Sequence, residues 1–409
     1  MEEWKEYKIG DVCSKVCSGG TPSSKHTEYY DGDIPWLNTK EINFNRIYST
    51  EKCITEEGLN NSSAKWIEEN SVIVAMYGAT AGKAAIAKIP LTTNQACCNL
   101  TINSSLADYN FVYYHLCNKF TGLASLANGG AQQNLNAQII KEFPIPLPSL
   151  NEQRKIASIL KSLDDKIEVN RKINENLEQQ AQALFKSWFV DFEPFKNGEF
   201  VESELGMIPK GWRVEVLGDV CKCILGGTPS RNKEEYWNGN IAWINSGEVN
   251  EFRIVKPSEY ITEEGLKHSA TKLLPKKTTV LAITGATLGQ VSLLEIDSCA
   301  NQSVIGVLEN DNIPYEFIYP LINVKITELC SHMTGGAQQH INKNNVEQLN
   351  IVLPSENVMT EYKEKTKSIY SQITNCCFES RRLAELRDTL LPKLMSGELK
   401  VFDKPNDQS

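Results

Sequence analysis

Several features common in other protein classes are absent from this chain of 409 residues. No apolar run approaches the roughly 20 residues that a membrane-spanning helix needs. Residues 1–10 carry neither the basic stretch nor the apolar segment of a secretory signal, so we expect a cytoplasmic protein with no membrane partner. The 12 cysteines and 5 histidines lack the spacing of zinc ligands. We therefore expect free thiols and no bound metal.

An excess of positive charge is also absent. The chain has 42 Lys and Arg against 51 Asp and Glu, which gives a net charge of −9, and no segment forms a basic tail. Because nucleic-acid binders usually concentrate positive charge, composition alone argues mildly against this function. Any affinity for DNA must come from local patches or from a partner.

Catalytic motifs are missing as well. A DNA amino-methyltransferase needs a Pro-Pro turn that holds the target amine, and no Pro-Pro dipeptide occurs. The run 78–83 resembles a P-loop, but Tyr77 and Ala84 stand where that motif needs Gly and Ser or Thr. A nuclease-like pairing of Asp388 with 398–400 places Asp388 inside a predicted helix rather than at a strand end. We expect no catalytic residue in this chain.

The sequence is an internal duplication. The run Gly-Gly-Thr-Pro-Ser at 19–23 recurs at 226–230, and Ile-Thr-Glu-Glu-Gly-Leu at 54–59 recurs at 261–266, both with an offset of 207. Trp36 and Trp243 share this offset, and Gly-Gly-Ala-Gln-Gln at 129–133 recurs at 335–339 with an offset of 206. Matches of this length and order do not arise by chance, so two domains of the same fold are expected.

Each half follows the same order of predicted elements. Short β-like runs such as 71–76 and 279–284 come first, and a Pro-containing strand follows at 143–148 and 349–354. Stretches free of Gly and Pro at 151–190 and 357–391 then predict long helices. We predict an α+β fold with two duplicated mixed α/β domains and two long helices. The predicted domains are 1–149 and 193–354, the helical segments are 150–192 and 355–400, and a tail occupies 401–409.

Both predicted helices carry a heptad pattern. Its 3.5-residue period is typical of a helix that packs along a partner helix with a left-handed twist. Because the two patterns match position for position, we predict an antiparallel coiled coil that relates the halves by a pseudo-two-fold axis. The alternative is that each helix packs on its own domain. The seam residues are Ile156, Leu160, Leu163, Ile167, Asn170, Leu177 and Leu184 in the first helix, and Ile369, Ile373, Leu383 and Leu390 in the second.

Taken together, these features resemble the specificity subunit of type I restriction–modification enzymes. The resemblance rests on the tandem halves, the Gly-Gly-Thr-Pro-Ser loops, the start of the second half at 211–220, and the helix ends at 184–192 and 390–399. It implies two target-recognition domains, 1–149 and 193–354, that each read one half of a split, asymmetric site in double-stranded DNA. It also implies that the helices act as a spacer on which two methyltransferase (modification) subunits dock.

The resemblance further implies that partner subunits perform the chemistry. Modification subunits would methylate adenine, and restriction subunits with translocase and nuclease activity would complete the complex. S-adenosylmethionine, ATP and Mg are then expected on those partners, and no cofactor on this chain. Two other classes stay open. A DNA methyltransferase or nuclease with fused recognition domains is opposed by the missing motifs, whereas a coiled-coil protein-interaction scaffold is mildly favoured by the acidic composition.

Candidate DNA-contacting residues shared by both halves form a first group. Phosphate contacts position a protein without reading sequence, so shared residues are expected to contact phosphate or to hold the fold. Paired glycines beside them allow the backbone to approach a phosphate, although a simple turn is the alternative. The shared candidates are Thr21, Ser23, Thr80, Gln132 and Gln133, matched by Thr228, Ser230, Thr287, Gln338 and Gln339.

Candidates that differ between the halves form a second group. If the two halves read different half-sites, base-reading residues should differ at matched positions. Lys and Arg suit guanine, and Asn or Gln suits adenine, whereas a solvated surface residue is the alternative. These candidates are Ser24, Lys25, Thr39, Lys40, Lys83 and Asn134 in the first half, and Arg231, Lys233, Ser246, Gln290 and His340 in the second.

Aromatic residues suggest two further assignments. Trp36 and Trp243 are flanked by Ile or Leu, which favours a place in the core over stacking on bases. The run 188–192 (Trp-Phe-Val-Asp-Phe) either docks a modification subunit or packs beneath the second domain.

Overall fold

The computed structural model of the protein describes residues 4–127, 134–331 and 340–401. Its contacts divide the chain into two compact units. Unit 1 comprises Met1–Lys166 and Leu383–Ser409, and unit 2 comprises Ile167–Arg382. The division falls inside both long helices, so each unit contains part of each helix.

Unit 1 is built on sheets whose central strands are buried on both faces. β7 (Val72–Ala75) and β8 (Ala84–Ala87) are apolar and buried throughout, and their alternate residues belong to two separate hydrophobic cores. The sheet orders are β1-β11, β2-β10-β7-β8-β4 and β5-β3-β9-β6, and the β4–β8 and β3–β9 pairs are parallel. The strands are β1 Lys5–Lys8, β2 Cys13–Ser18, β3 Tyr30–Leu37, β4 Asn45–Ile47, β5 Lys52–Ile54, β6 Trp66–Ile67, β7 Val72–Ala75, β8 Ala84–Ala87, β9 Leu91–Thr93, β10 Cys97–Ile102 and β11 Pro144–Leu147.

Among the helices of the first half, α2 (Tyr109–Asn118) packs against β7 and β8. The helix α2 begins after Asp108, whose carboxylate accepts hydrogen bonds from the backbone N–H groups of Asn110 and Phe111 at 3.0 and 3.1 Å. Phe111 and Leu116 of this helix are fully buried in the main core of unit 1. The helices are α1 Glu56–Asn60, α2 Tyr109–Asn118, α3 Phe120–Ser125, α4 Ala137–Glu142 and the long helix α5 Leu150–Phe185.

Unit 2 repeats the central part of this arrangement with one strand fewer in each of the two larger sheets, which confirms the prediction of two duplicated mixed α/β domains. The β3–β5 pair has an irregular register between Tyr30 and Ile34, and its counterpart has the same irregularity between Trp237 and Ile241. The parallel β3–β9 pair likewise recurs as β16–β20. The strands are β12 Phe200–Ser203, β13 Gly206–Pro209, β14 Arg213–Val216, β15 Cys223–Leu225, β16 Trp237–Ile244, β17 Glu259–Ile261, β18 Thr279–Ala282, β19 Val291–Leu293, β20 Cys299–Ala300, β21 Val304–Val307 and β22 Asn350–Leu353.

The helices of the second half are α6 Leu217–Val220, α7 Glu263–Lys267, α8 Tyr315–Ser331, α9 Lys343–Glu347 and the second long helix α10 Glu356–Met395. Their order follows that of the first half, except that α6 replaces the 3-10 turn Ile9–Val12 and α8 covers the positions of both α2 and α3. The sheet orders are β12-β13, β14-β22, β15-β21-β18-β19 and β17-β16-β20. Within the described ranges, no helix is both long and apolar enough to cross a membrane.

Within unit 2, α5 and α10 run antiparallel. The Asn170 side-chain N–H donates to Glu379 Oε2 at 2.7 Å and to Ser380 Oγ at 3.3 Å. Four residues later, the Asn174 amide lies 3.3 Å from Cys377 Sγ. An advance along α5 thus corresponds to a step back along α10, as antiparallel helices require.

The two long helices are also in contact in unit 1. There, Arg387 Nη1 of α10 donates to Asp164 Oδ1 of α5 at 2.8 Å. The predicted pairing of the two helices is therefore present in both units. The pseudo-two-fold axis stays a prediction.

The seam residues do not face the partner helix alone. Ile156 and Leu160 belong to the core of unit 1, together with Leu394 of α10 and the domain residues Phe111 and Ile145. The expectation of a simple helix–helix seam is therefore incomplete, because domain and helices share one core at this end. Among the seam residues, Ile156, Leu160, Asn170 and Ile373 are buried, and Leu163, Ile167, Leu177, Leu184, Ile369, Leu383 and Leu390 are half-buried.

The ends of the long helices differ from the predicted ones. The α-helical part of α5 ends at Phe185, and a single π-helical segment, Lys186–Val190, follows. The helix α10 continues through Pro392 to Met395, although proline removes a backbone hydrogen bond. Burial of Leu394 and Met395 in the core of unit 1 offsets that loss.

Candidate nucleic-acid interface

Loop surface 1 consists of residues 38–44, 77–83 and Asn134. The Thr80 hydroxyl donates to the Thr39 carbonyl at 2.9 Å, which joins the first two loops. Lys83 Nζ donates to Asn43 Oδ1 at 2.7 Å. Asn134 forms an isolated β-bridge with Tyr77, which places it beside the second loop. The structure thus brings together the predicted residues Thr39, Lys40, Thr80, Lys83 and Asn134.

Local sequence explains both turns of loop surface 1. The Asn38 side chain accepts from the Lys40 N–H, and Glu41 Oε1 accepts from the Asn38 N–H at 2.9 Å, so Asn38 caps the turn Thr39–Glu41. Gly78 and Gly82 adopt φ values of +77° and +86°, which glycine allows without strain. A Cβ at Gly78 would meet no atom within 4 Å, so this glycine is needed for its backbone conformation and not for space.

Loop surface 2, formed by 245–251, 284–290 and His340, repeats this arrangement. Asn245 caps its turn through the Gly247 N–H at 2.7 Å, and Gly285 and Gly289 repeat the positive φ values at +77° and +83°. The Ile341 N–H donates to the Ile283 carbonyl at 3.1 Å, which holds His340 near the second loop. Among the predicted residues, Ser246, Thr287, Gln290 and His340 lie on this surface.

The two loop surfaces differ in charge and in aromatic content. Loop surface 1 carries Lys40 and Lys83, whereas the matched positions in loop surface 2 are Gly247 and Gln290. Loop surface 1 therefore presents cationic side chains at two positions where loop surface 2 presents none.

Two aromatic residues of loop surface 1 were missed by sequence reasoning. Tyr77 is 40% exposed, and the Phe44 ring packs edge-on against Phe120 with centroids 5.2 Å apart. Lys83 Nζ lies 5.7 Å from the Phe44 ring centroid. In loop surface 2, Thr284 matches Tyr77 and Glu251 matches Phe44. Comparing the two halves at these positions would therefore have revealed the difference.

The first Gly-Gly-Thr-Pro-Ser loop packs against the protein itself. A Cβ at Gly19 would lie 2.1 Å from the Thr93 carbonyl oxygen, and one at Gly20 would lie 2.2 Å from the Ala64 nitrogen. Trp36 Nε1 donates to the Gly20 carbonyl at 2.9 Å. These glycines are therefore required by close approach of the protein backbone, which favours the turn interpretation over the phosphate one.

The second copy of this loop is held in the same way. A Cβ at Gly226 would lie 2.0 Å from the Asn301 carbonyl oxygen, and Trp243 Nε1 donates to the Gly227 carbonyl at 3.1 Å. Both tryptophans are buried, as expected. The threonine hydroxyls of the two loops also have internal partners: Thr21 donates to Gln95, and Thr228 donates to Gln302. The serines of the two loops, Ser23 and Ser230, are exposed at the surface. Ser24 and Lys25, which follow the first loop and differ between the halves, are exposed as well.

Three charged candidates in and near these loops have protein partners. Arg231 forms a two-pronged ion pair with Glu259, and its guanidinium lies 3.7 Å from the Trp237 ring centroid. Lys233 Nζ lies 2.9 Å from the Tyr236 hydroxyl. Lys40 of loop surface 1 likewise forms an ion pair with Glu51. A DNA contact by these side chains would have to share or displace such partners.

Some predicted residues lie outside the part of the chain that the structure describes. They are Gln132, Gln133, Gln338 and Gln339. Their role stays a prediction.

The aromatic run at the end of α5 is part of the core of unit 2. Trp188 and Phe189 are buried, and the Phe189 ring centroid lies 4.7 Å from that of Tyr362 and 5.8 Å from that of Trp212. Of the two interpretations of this run, packing beneath the second domain is correct for these two residues. They are not available to dock a partner.

Each cysteine whose pKa is shifted has a raised pKa, so none of these thiols is activated. Burial raises the pKa of Cys98 and Cys223 to about 12, so both thiols are protonated at neutral pH. In the described ranges, no group of three or more His, Cys, Asp and Glu side chains is placed to hold a metal ion.

Comparison with known proteins identifies the family. The family model described as "Type I restriction modification DNA specificity domain" matches residues 1–179 and again 209–386. The chain therefore belongs to this family, which confirms the resemblance found in the sequence. The two matches correspond to the two halves of the duplication.

Individual relatives match along nearly the whole chain. It is 33% identical to the type I restriction enzyme MjaIX specificity subunit of Methanocaldococcus jannaschii, over 98% of this chain and 94% of that protein. It is 23% identical to the HindI specificity subunit of Haemophilus influenzae, over 98% and 100%. The crystal structure of a type I restriction-modification system S subunit from M. genitalium superposes with a TM-score of 0.60 at 17% identity, covering 96% of each chain, which shows a shared fold.

Proposed function

We propose that this chain is the non-catalytic DNA-recognition subunit of a type I restriction–modification complex in the cytoplasm. It binds a split, asymmetric site in double-stranded DNA and directs adenine methylation and restriction by partner subunits. Two modification subunits and the restriction/translocase subunits are the proposed partners. S-adenosylmethionine, ATP and Mg would be bound by those partners rather than by this chain.

One observation carries this proposal: the fold is duplicated, but the loop surfaces are chemically different. Both surfaces use the same capped turn and the same pair of positive-φ glycines. Yet Lys40, Lys83 and Tyr77 on the first surface are replaced by Gly247, Gln290 and Thr284 on the second. A protein that reads two different half-sites needs the same backbone framework in both domains and different side chains on it.

The proposal is tested by mapping methylated adenines in DNA modified by the complex of this chain with its modification subunits. We expect a split site with two different half-site sequences. Modification without sequence preference would refute DNA recognition, and methyl transfer by the purified chain alone would support the fused-enzyme alternative.

A single substitution then assigns a half-site to a loop surface. Lys83→Gln gives loop surface 1 the residue found at the matched position of loop surface 2. If Lys83 contacts a base, discrimination at one position of one half-site should fall by about 1–3 kcal/mol; if it contacts phosphate, binding should weaken for all sequences and the salt dependence should fall by about one charge. The control is Lys196→Gln, an exposed lysine outside both loop surfaces. Equal effects of the two substitutions would exclude Lys83 from the interface.

A further inference from the structure

A buried arginine follows directly after loop surface 2. The side chain of Arg253 has no exposed surface, although it lies two residues beyond the end of that loop surface. Arg253 Nη1 donates to the Phe252 carbonyl at 2.8 Å and to the Tyr319 hydroxyl at 3.0 Å. A buried guanidinium is costly unless it is paired, so its partners determine where this segment can lie.

The charged partner of Arg253 is on a long helix. Arg253 Nη2 lies 2.6 Å from Glu178 Oε2, and Glu178 belongs to α5. Arg253 Nε is buried with no hydrogen-bond partner among the described residues, and it lies 4.0 Å from Glu295 Oε1. The loop surface is thereby connected to a helix encoded in the first half of the sequence.

A second ion pair connects the same region to the other long helix. Lys277 Nζ lies 2.5 Å from Glu295 Oε2 and donates to the Thr374 hydroxyl of α10 at 2.8 Å. The side chains of both Glu295 and Arg253 are essentially fully buried. Two charged connections, one to each helix, restrict how far the domain can rotate on the helices. Apolar contacts would restrict this rotation less, because they have no preferred direction.

The duplication places an arginine at the same position in the first half. Arg46 is related to Arg253 by the offset of 207 and lies two residues beyond loop surface 1. Its Nη1 lies 2.5 Å from Asp165 Oδ1 of α5, and its side chain is 10% exposed. The neighbouring Tyr114 hydroxyl donates to Asp164 at 2.6 Å. The link between loop and helix is thus present in both units, although the acidic partner differs.

We propose that Arg253 and Arg46 are positioning residues that hold each loop surface at a set angle on α5. They thereby determine which gap between the two DNA half-sites the protein accepts. The inference rests on the proposed function, and it requires no contact between either arginine and DNA. A change of one base pair in the gap moves one half-site by about 3.4 Å and rotates it by roughly a tenth of a turn, so a loosened domain should tolerate it better.

The test compares gap preference in the full complex with modification subunits. DNA duplexes carry both native half-sites with the native gap, or with one base pair added or removed. We expect the wild type to prefer the native gap and Arg253→Met to reduce the ratio of dissociation constants at least tenfold, with discrimination within the first half-site unchanged. Lower stability alone would decrease the active fraction equally for all duplexes and leave this ratio unchanged.

Two further variants keep the result decisive. If Arg253→Met fails to fold, Arg253→Met combined with Glu178→Met removes both charges and avoids an unpaired buried carboxylate. The matched control is Glu175→Gln, which breaks the exposed pair of Glu175 with Arg171 on the same helix. A folded variant that retains the wild-type gap ratio would overturn the inference. A wild-type complex without half-site selectivity would instead overturn the proposed function.

Discussion

Substitution of Gly19 by alanine separates a structural role of the Gly-Gly-Thr-Pro-Ser loop from a DNA-binding role. The added Cβ would lie 2.1 Å from the Thr93 carbonyl oxygen and 2.4 Å from that of Asn94. Both obstacles are backbone atoms, which cannot rotate away as a side chain can. Relieving the clash requires a shift of about 1 Å in a packed region, and such overpacking costs about 3 kcal/mol, the upper end of its usual range.

The expected magnitude follows from the size of unit 1, which has roughly 190 residues. For a unit of about this size, 1 kcal/mol corresponds to about 2–4 °C in melting temperature. We therefore expect Gly19→Ala to lower the melting temperature of unit 1 by about 6–12 °C, measured by calorimetry on the full chain. The control is Gly122→Ala in α3, where the Cβ meets no atom within 4 Å and a stabilisation of about 0.4–1 kcal/mol is expected.

DNA binding by the same variants completes this experiment. If the glycines serve the fold, folded Gly19→Ala protein measured well below its melting temperature should bind DNA as the wild type does. An unchanged melting temperature together with weakened binding would refute our reasoning and restore the phosphate-approach interpretation.

Three other predictions concern the helices and one buried histidine. Asn170→Leu should raise the melting temperature of unit 2 by a few degrees, because Asn170 Oδ1 is buried with no hydrogen-bond partner among the described residues. Glu379, which accepts from the Asn170 amide, is exposed enough to be hydrated when that amide is removed. A lower melting temperature would contradict this. Inserting one heptad after Asn170 and another after Glu379 preserves the seam and adds about 10 Å to each helix. Methylation mapping should then show a gap longer by about three base pairs, and a changed half-site sequence with the original gap would exclude a spacer role. Burial lowers the pKa of His115 from 6.5 to about 4, so the unfolded chain binds a proton that the folded chain does not, and roughly 3 kcal/mol of stability should be lost as pH falls from 6.5 to 4. Calorimetry at pH 7 and 4.5 should show a smaller loss for His115→Gln, and equal losses would disprove the assignment.

The sequence was sufficient to predict the features of the structure that follow from a repeat or from a regular period of apolar residues. Matching runs at a constant offset required two domains of one fold, the stretches free of Gly and Pro located the long helices to within a few residues, and the 3.5-residue pattern predicted that these helices pair. The antiparallel contact between Asn170 and Glu379 follows the direction predicted from that pattern. The family followed from the same features, because the order of motifs along a chain is read directly from the sequence.

Tertiary structure alone decided which groups face one another. The Gly19 pair had two plausible explanations, and only the position of the Thr93 carbonyl shows that the protein backbone occupies that space. Arg253 and Glu178 are 75 residues apart and belong to different halves, so no local pattern predicts their buried ion pair. Periodicity reports which face of an element is apolar, whereas long-range pairing depends on how the chain brings distant elements together. For this reason the sequence by itself determined the duplicated fold, and the tertiary structure decided how its loops are held.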